Sequence, residues 1–189
     1  MALLELLDII NPMKLKTKMR HCLITLLIGL VLSTQPFAAN QINEYQVKAA
    51  FLYNFIAFTQ WPDAIDQTIN LCIYGEDYFG HEIDKLQTRA VDNKNIKVIR
   101  LTSLERSKDC HVLFISKSAI DDLPNILAST LEAPVLTIAD SPGAASKGVI
   151  INLNLTQNKI NFEVNLESAR SVRLDISARL LQLATEVYQ

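Results

Sequence analysis

Two glycines five residues apart, in Gly75-Glu76-Asp77-Tyr78-Phe79-Gly80, sit between a strand-like and a helix-like segment, which is the skeleton of a phosphate-cradling loop. The residues that would do the chemistry are missing. His81 and Glu82 follow where a lysine and a hydroxyl are needed, and Glu76 and Asp77 would repel a polyphosphate. Gly75 then reads as a tight turn and Asp77 as a helix cap. A four-ligand zinc set can be written from Cys72, Cys110, His81 and His111, but the closely spaced cysteine pairs of such sites are absent. No serine stands in a Gly-x-Ser-x-Gly elbow, so Ser-His-Asp catalysis is unsupported. Neither a metal nor an organic cofactor is called for.

Three weaker constellations remain. Glu76 and Asp140, each at the carboxyl end of an expected strand, could meet where open α/β sheets bind ligands, as an acid–base pair or as helix caps. Asp140-Ser141-Pro142-Gly143 could offer backbone N–H groups to a small anion, or could cap and turn the chain. Ser116 ends another expected strand at the same edge. Trp61, next to Pro62 and near Tyr53 and Phe58, is either core or an exposed interface anchor.

The elements that must position these groups are read from periodicity. Residues 44–60 form a helix, with Val47, Phe51, Phe55 and Phe58 at helical spacing and Ala50, Leu52 and Ile56 widening the stripe toward an apolar cylinder. Pro62 should end it at or just before Trp61. Strands are expected at residues 70–76, 95–101, 111–116 and 135–140, alternating with helical stretches at 78–86, 102–108 and 119–130. Pro124 makes the last of these begin late or kink. That alternation implies a mainly parallel sheet layered by helices. Residues 149–155 and 159–164 flank a short polar link and suit a hairpin. Residues 166–187 carry Val172, Ile176, Leu180 and Leu183 at helical spacing and are expected to form one long helix packed beside the first. The fold class is α/β: a three-layer sandwich with a mainly parallel central sheet, a C-terminal β-hairpin and packed N- and C-terminal helices.

Lys14, Lys16, Lys18 and Arg20 precede an apolar run of about 11 residues, half of what a membrane span needs, and small residues follow. Residues 1–39 therefore read as an export signal with its start at Met1 or Met13, and residues 40–189 as a single domain. The chain has 18 basic and 20 acidic residues; removing a leader that holds 4 and 2 of them leaves 14 and 18, so the formal charge moves from −2 to −4. That balance excludes nucleic acid as a partner. Cys22 leaves with the signal. Cys72 and Cys110, an even pair in an exported chain, would form a disulfide worth about 3–4 kcal/mol for their 38-residue separation, or remain as two buried thiols.

Taken jointly, four groups of residues resemble the YfiR family of exported bacterial proteins. They are the run from Val47 to Phe55 with Trp61-Pro62; Leu71-Cys72-Ile73-Tyr74-Gly75; Cys110-His111-Val112-Leu113-Phe114-Ile115-Ser116; and Ile160 to Leu166 with Ala169-Arg170 and Ile176 to Leu181. The resemblance implies a periplasmic α/β protein without catalysis. It implies repression of a membrane-anchored diguanylate cyclase, or another sensor protein, through that enzyme's periplasmic region, with an outer-membrane lipoprotein and a second copy as further partners. Cys72 and Cys110 match a cysteine pair that holds the repressing form, while a second pair of that type has no counterpart here. A small-molecule binding protein, using the sheet edge near Glu76, Ser116 and Asp140, is the alternative.

Overall fold

A computed structural model describes residues 44–62 and 65–189. The expected export signal at residues 1–39 lies outside them. Among the described residues no helix is long and apolar enough to cross a membrane.

Helix α1 (Glu44–Ala57) opens the described chain. Its buried stripe is Tyr45, Lys48, Ala49, Leu52, Phe55 and Ile56, a 3-4 spacing that faces the sheet. This corrects the expected seam: Ala50 is exposed and Val47 and Phe51 are half-buried, because Lys48 is drawn inward by a partner described below. The helix also stops earlier than Pro62 alone would require. Thr59–Gln60 leaves it as β1, and the Phe58 carbonyl accepts from the Ser177 amide at 3.0 Å, so pairing with a distant segment outcompetes another helical turn.

The remaining elements are β2 (Thr68–Tyr74), α2 (His81–Asp84), β3 (Ala90–Val91), β4 (Lys94–Leu101), β5 (Val112–Ile115), α3 (Leu123–Ser129), β6 (Leu136–Ala139), β7 (Ile151–Thr156), β8 (Lys159–Asn165), α4 (Leu166–Ser171), β9 (Asp175–Ile176), α5 (Ala178–Leu181) and β10 (Glu186–Tyr188), with 3-10 turns between several of them. Eight strands make one mixed sheet in the order β10-β8-β7-β6-β5-β2-β4-β3. The run from β4 to β7 is parallel throughout, and the order reverses between β2 and β5, the crevice at which doubly wound sheets bind ligands.

One face carries Leu71, Ile73, Phe114, Ile138, Leu153 and Phe162 against α1, α4 and α5, with Phe55 meeting Phe162 at 5.0 Å. The opposite face packs Cys72, Leu113, Ile115 and Ala139 against Leu123 and Ile126 of α3. The architecture is the expected α/β layering, with helices on both faces of a mainly parallel sheet. Pro124 lies in the first turn of α3, which accordingly begins late, after a 3-10 turn. Gln157 and Asn158 both have positive φ, 49° and 61°, and make the two-residue hairpin turn between β7 and β8.

The long C-terminal helix expected over residues 166–187 does not form. Asn165 caps α4 by accepting from the Ser168 amide, and Arg173 at φ 62° turns the chain out of the helix. β9 then pairs antiparallel with β1, Ser177 caps α5, and β10 joins β8 at the sheet edge. Leu183, assigned by its spacing to the buried stripe, is 67% exposed. The segment between residues 78 and 88 begins its helix later than expected. Asp77 Oδ1 accepts from the amides of Phe79 and Gly80, holding a turn, and α2 starts only at His81.

Candidate functional site

The middle of the carboxyl edge is built around Asp140, the residue after β6. Its side chain is fully buried. Oδ2 accepts from the Tyr45 hydroxyl at 2.8 Å and from Lys48 Nζ at 2.6 Å, and Oδ1 accepts from the Lys117 amide at 3.1 Å. Lys48 also pairs with Glu44 one helical turn earlier, at 2.5 Å. A carboxylate removed from water must be paired and hydrogen-bonded, and this one has a cation and two neutral donors. Burial pushes the Tyr45 phenol far above its ordinary range, and its hydrogen bond to Asp140 and that residue's charge add to the shift. Tyr45 stacks on Tyr78 at 5.5 Å, and Lys117 Nζ lies 4.4 Å over the Tyr78 ring, closing the edge with aromatic and aliphatic surface.

The crevice between β2 and β5 is filled by the chain itself. Gly75, at φ 95°, brings its backbone so close to the next loop that an added Cβ would lie 2.8 Å from Ser118 Oγ, which the Glu76 amide engages at 2.7 Å. Ser116 is fully buried. Glu76 is exposed and hydrogen-bonds to Tyr78, raising that phenol's pKa. Ser116, Glu76, Asp140 and Ser141 thus lie along the same sheet edge, with Asp140 wholly engaged by Tyr45, Lys48 and Lys117. Ser141 is buried, its amide donates to Asn152 Oδ1, and its hydroxyl has no hydrogen-bond partner among the described residues. Trp61 does not join them. It lies at the other end of the strands, beside Ile69, Val91 and Lys94 at a recess of about 360 Å³, with its indole Nε1 buried and unpartnered among the described residues.

Cys72 and Cys110 are joined as a disulfide, with Cα atoms 5.9 Å apart, linking β2 to the turn that leads into β5. That bond removes two members of the paper zinc set. His111 Nδ1 accepts from the Asn70 amide at 2.9 Å, and burial lowers its pKa. His81 is 82% exposed at its side chain and pairs with Glu82. Among the described residues no cluster of three or more His, Cys, Asp or Glu could hold a metal ion.

A second region opens on the flank of the same edge. A cleft of about 620 Å³ runs between the start of α1, the loop after Asp140 and the β7–β8 hairpin, with Glu44, Lys48, Asn154, Asn161 and Glu163 in its wall. Glu163 Oε2 is buried and has no hydrogen-bond partner among the described residues. Sequence reasoning missed both the Asp140 partners and this cleft. A signal for the first was present, since Lys48 is the one charged residue on the buried stripe of α1 and Glu44 stands four positions before it. The second had none: Asn161 and Glu163 read as ordinary outward residues of an alternating strand.

Comparison with known proteins supports the fold and fixes the family. A conserved domain protein from Vibrio cholerae superposes with a TM-score of 0.54 at 9% identity, covering 76% of this chain and 60% of its own. An ABC domain from Streptococcus pneumonia, solved in complex with L-Trp, gives 0.51 at 10% identity with the same coverage. This chain therefore spans about three-fifths of each neighbour, and at such identity the likeness concerns the fold alone. No curated protein matches the chain in sequence. The family described as YfiR/HmsC-like matches residues 45–185, from the tyrosine that binds Asp140 to the threonine that leads into β10. This chain belongs to the YfiR/HmsC-like family.

Proposed function

We propose that this chain is a periplasmic regulatory protein that binds the periplasmic sensor region of an inner-membrane signalling enzyme, a diguanylate cyclase, and represses it, lowering cyclic di-GMP. The observation that carries the reading is the family match over residues 45–185. The geometry agrees with it. The edge at which an α/β sheet would place catalytic or ligand-binding groups is occupied by the chain's own Lys48, Tyr45, Tyr78 and Ser118. The working part is then the outer surface, with Trp61 as an anchor for a partner. Binding acts by differential affinity: a surface complementary to the receptor's inactive arrangement shifts its population by that difference and no more. An outer-membrane lipoprotein that captures the chain would relieve repression, and a homodimer would present the surface twice. The disulfide holds β2 and β5 in register, so reduction would loosen the repressing form.

Deleting the gene raises cyclic di-GMP in a strain that carries the cognate cyclase and leaves it unchanged in a strain lacking that cyclase. Unchanged levels in both strains would overturn the reading. A small-molecule sensor is the second reading, and the 620 Å³ cleft on the β7–β8 flank is the observation that favours it.

A further inference from the structure

The flank cleft carries an unbalanced charge. Glu44, Asp140 and Glu163 supply three carboxylates to its wall and Lys48 a single cation, which already bridges Glu44 and Asp140. Glu163 is left. Its Oε2 is buried, and among the described residues it accepts no hydrogen bond and no Lys, Arg or His pairs with it. A buried carboxylate oxygen in that condition costs free energy unless a donor reaches it. The hairpin register sets what surrounds it. Asn161 lies two residues away on the same face of β8, opposite Asn154 of β7, and Glu163 is opposite Asn152. Asn152 is committed, its Oδ1 to the Ser141 amide and its Nδ2 to Asn154 Oδ1. Asn161 makes no side-chain hydrogen bond among the described residues, so its carbonyl oxygen is open to a donor in the cleft.

An uncompensated carboxylate flanked by an amide oxygen selects positive charge bearing N–H groups. The same balance rejects the anion that the loop after β6 suggested on sequence alone. A bare metal ion is disfavoured by the absence, among the described residues, of a ligand cluster and by a volume well above that of one ion. The space lies within the range that small organic ligands fill, roughly 300–1,000 Å³.

We infer that the β7–β8 flank cleft binds a small organic cation of the ammonium class, with the Glu163 carboxylate as its anchor and Asn161 accepting a second N–H. This inference does not rest on repression of a cyclase, since its readout is binding alone.

Isothermal titration of the purified chain with spermidine, and separately with putrescine, tests it. Saturable binding of one ligand per chain is expected for at least one of them. Glu163→Gln should weaken it about tenfold or more, the loss of one charge-assisted contact, while exposed Glu167→Gln leaves it unchanged. Asn161→Leu, which keeps the carboxylate, should weaken it severalfold and serves as the second variant if Glu163→Gln melts earlier than the parent. Heats that do not saturate with either amine, or equal weakening by Glu163→Gln and Glu167→Gln, would overturn the inference, the latter by showing diffuse charge attraction.

Discussion

The middle of the carboxyl edge and its β7–β8 flank are built from the same residue types and reach opposite states. The Asp140 side chain is fully buried, and Glu163 is half-buried with one carboxylate oxygen, Oε2, out of reach of water. Asp140 has a lysine, a tyrosine hydroxyl and a backbone amide on its two oxygens, whereas Glu163 Oε2 has no partner among the described residues. The difference comes from what each strand faces. β6 ends under helix α1, whose buried stripe can deliver long polar side chains, while β8 faces an open cleft. An edge closed by its own donors is a structural joint, and one left unsatisfied is where an outside group can be recognised.

The largest expected effect comes from breaking the joint. Lys48→Met leaves a buried carboxylate without its cation, and denaturant unfolding should show a loss of about 3–5 kcal/mol. A loss below about 1 kcal/mol would mean that Asp140 is solvated and the contrast with Glu163 is void. Replacing Cys72 and Cys110 together by serine should cost about 3–4 kcal/mol for the 38-residue loop, and dithiothreitol should reproduce that loss in the parent but not in the variant. A parent indifferent to reductant would place the pinning of β2 to β5 in side-chain packing alone.

Acid tests the amino end of the same central strands. Burial lowers the pKa of His111 in the folded chain, with Asp66 opposing only in part, so the unfolded chain binds this proton more readily. A depressed folded value means that the contribution is complete above the unfolded value near 6.5 and is lost as pH falls below it. The melting temperature should drop on acidification from pH 7 to 5, and His111→Gln should flatten that drop. An unchanged slope in the variant would assign the acid sensitivity to other groups.

The smallest expected effect sharpens the contrast. Glu163→Gln should leave stability unchanged or raise it by up to about 1 kcal/mol, because the carboxylate it removes has no partner to lose. A loss comparable to that of Lys48→Met would show that Glu163 is also a joint.

Most of the layering was legible because parallel strands covered on both faces must be apolar. Val112 to Ile115 and Leu136 to Ala139 are buried at every position, and no other reading suits such runs between helices. The C-terminal third was not legible in that way. Ile176 and Leu180 are buried as helical spacing demands, yet one lies in a two-residue strand and the other in a four-residue helix. Ser177 and Asn165, both good capping residues, marked the two short helices, but the pairing of β1 with β9 that splits them is a contact between residues more than 110 positions apart. The Asp140 joint was half legible, since its acid was singled out while its lysine was hidden in an apolar helix. The disulfide could be posed from two cysteines at strand edges, and the 5.9 Å approach of their Cα atoms completes it.

The proposed function makes this chain a repressor that occupies a receptor. The most direct measurement is the cyclic di-GMP output of membranes containing the cognate diguanylate cyclase, with the purified oxidised chain added on the periplasmic side. A saturable fall in output that reduction of the chain abolishes is expected. An output that does not change at any concentration of folded, oxidised protein would contradict it.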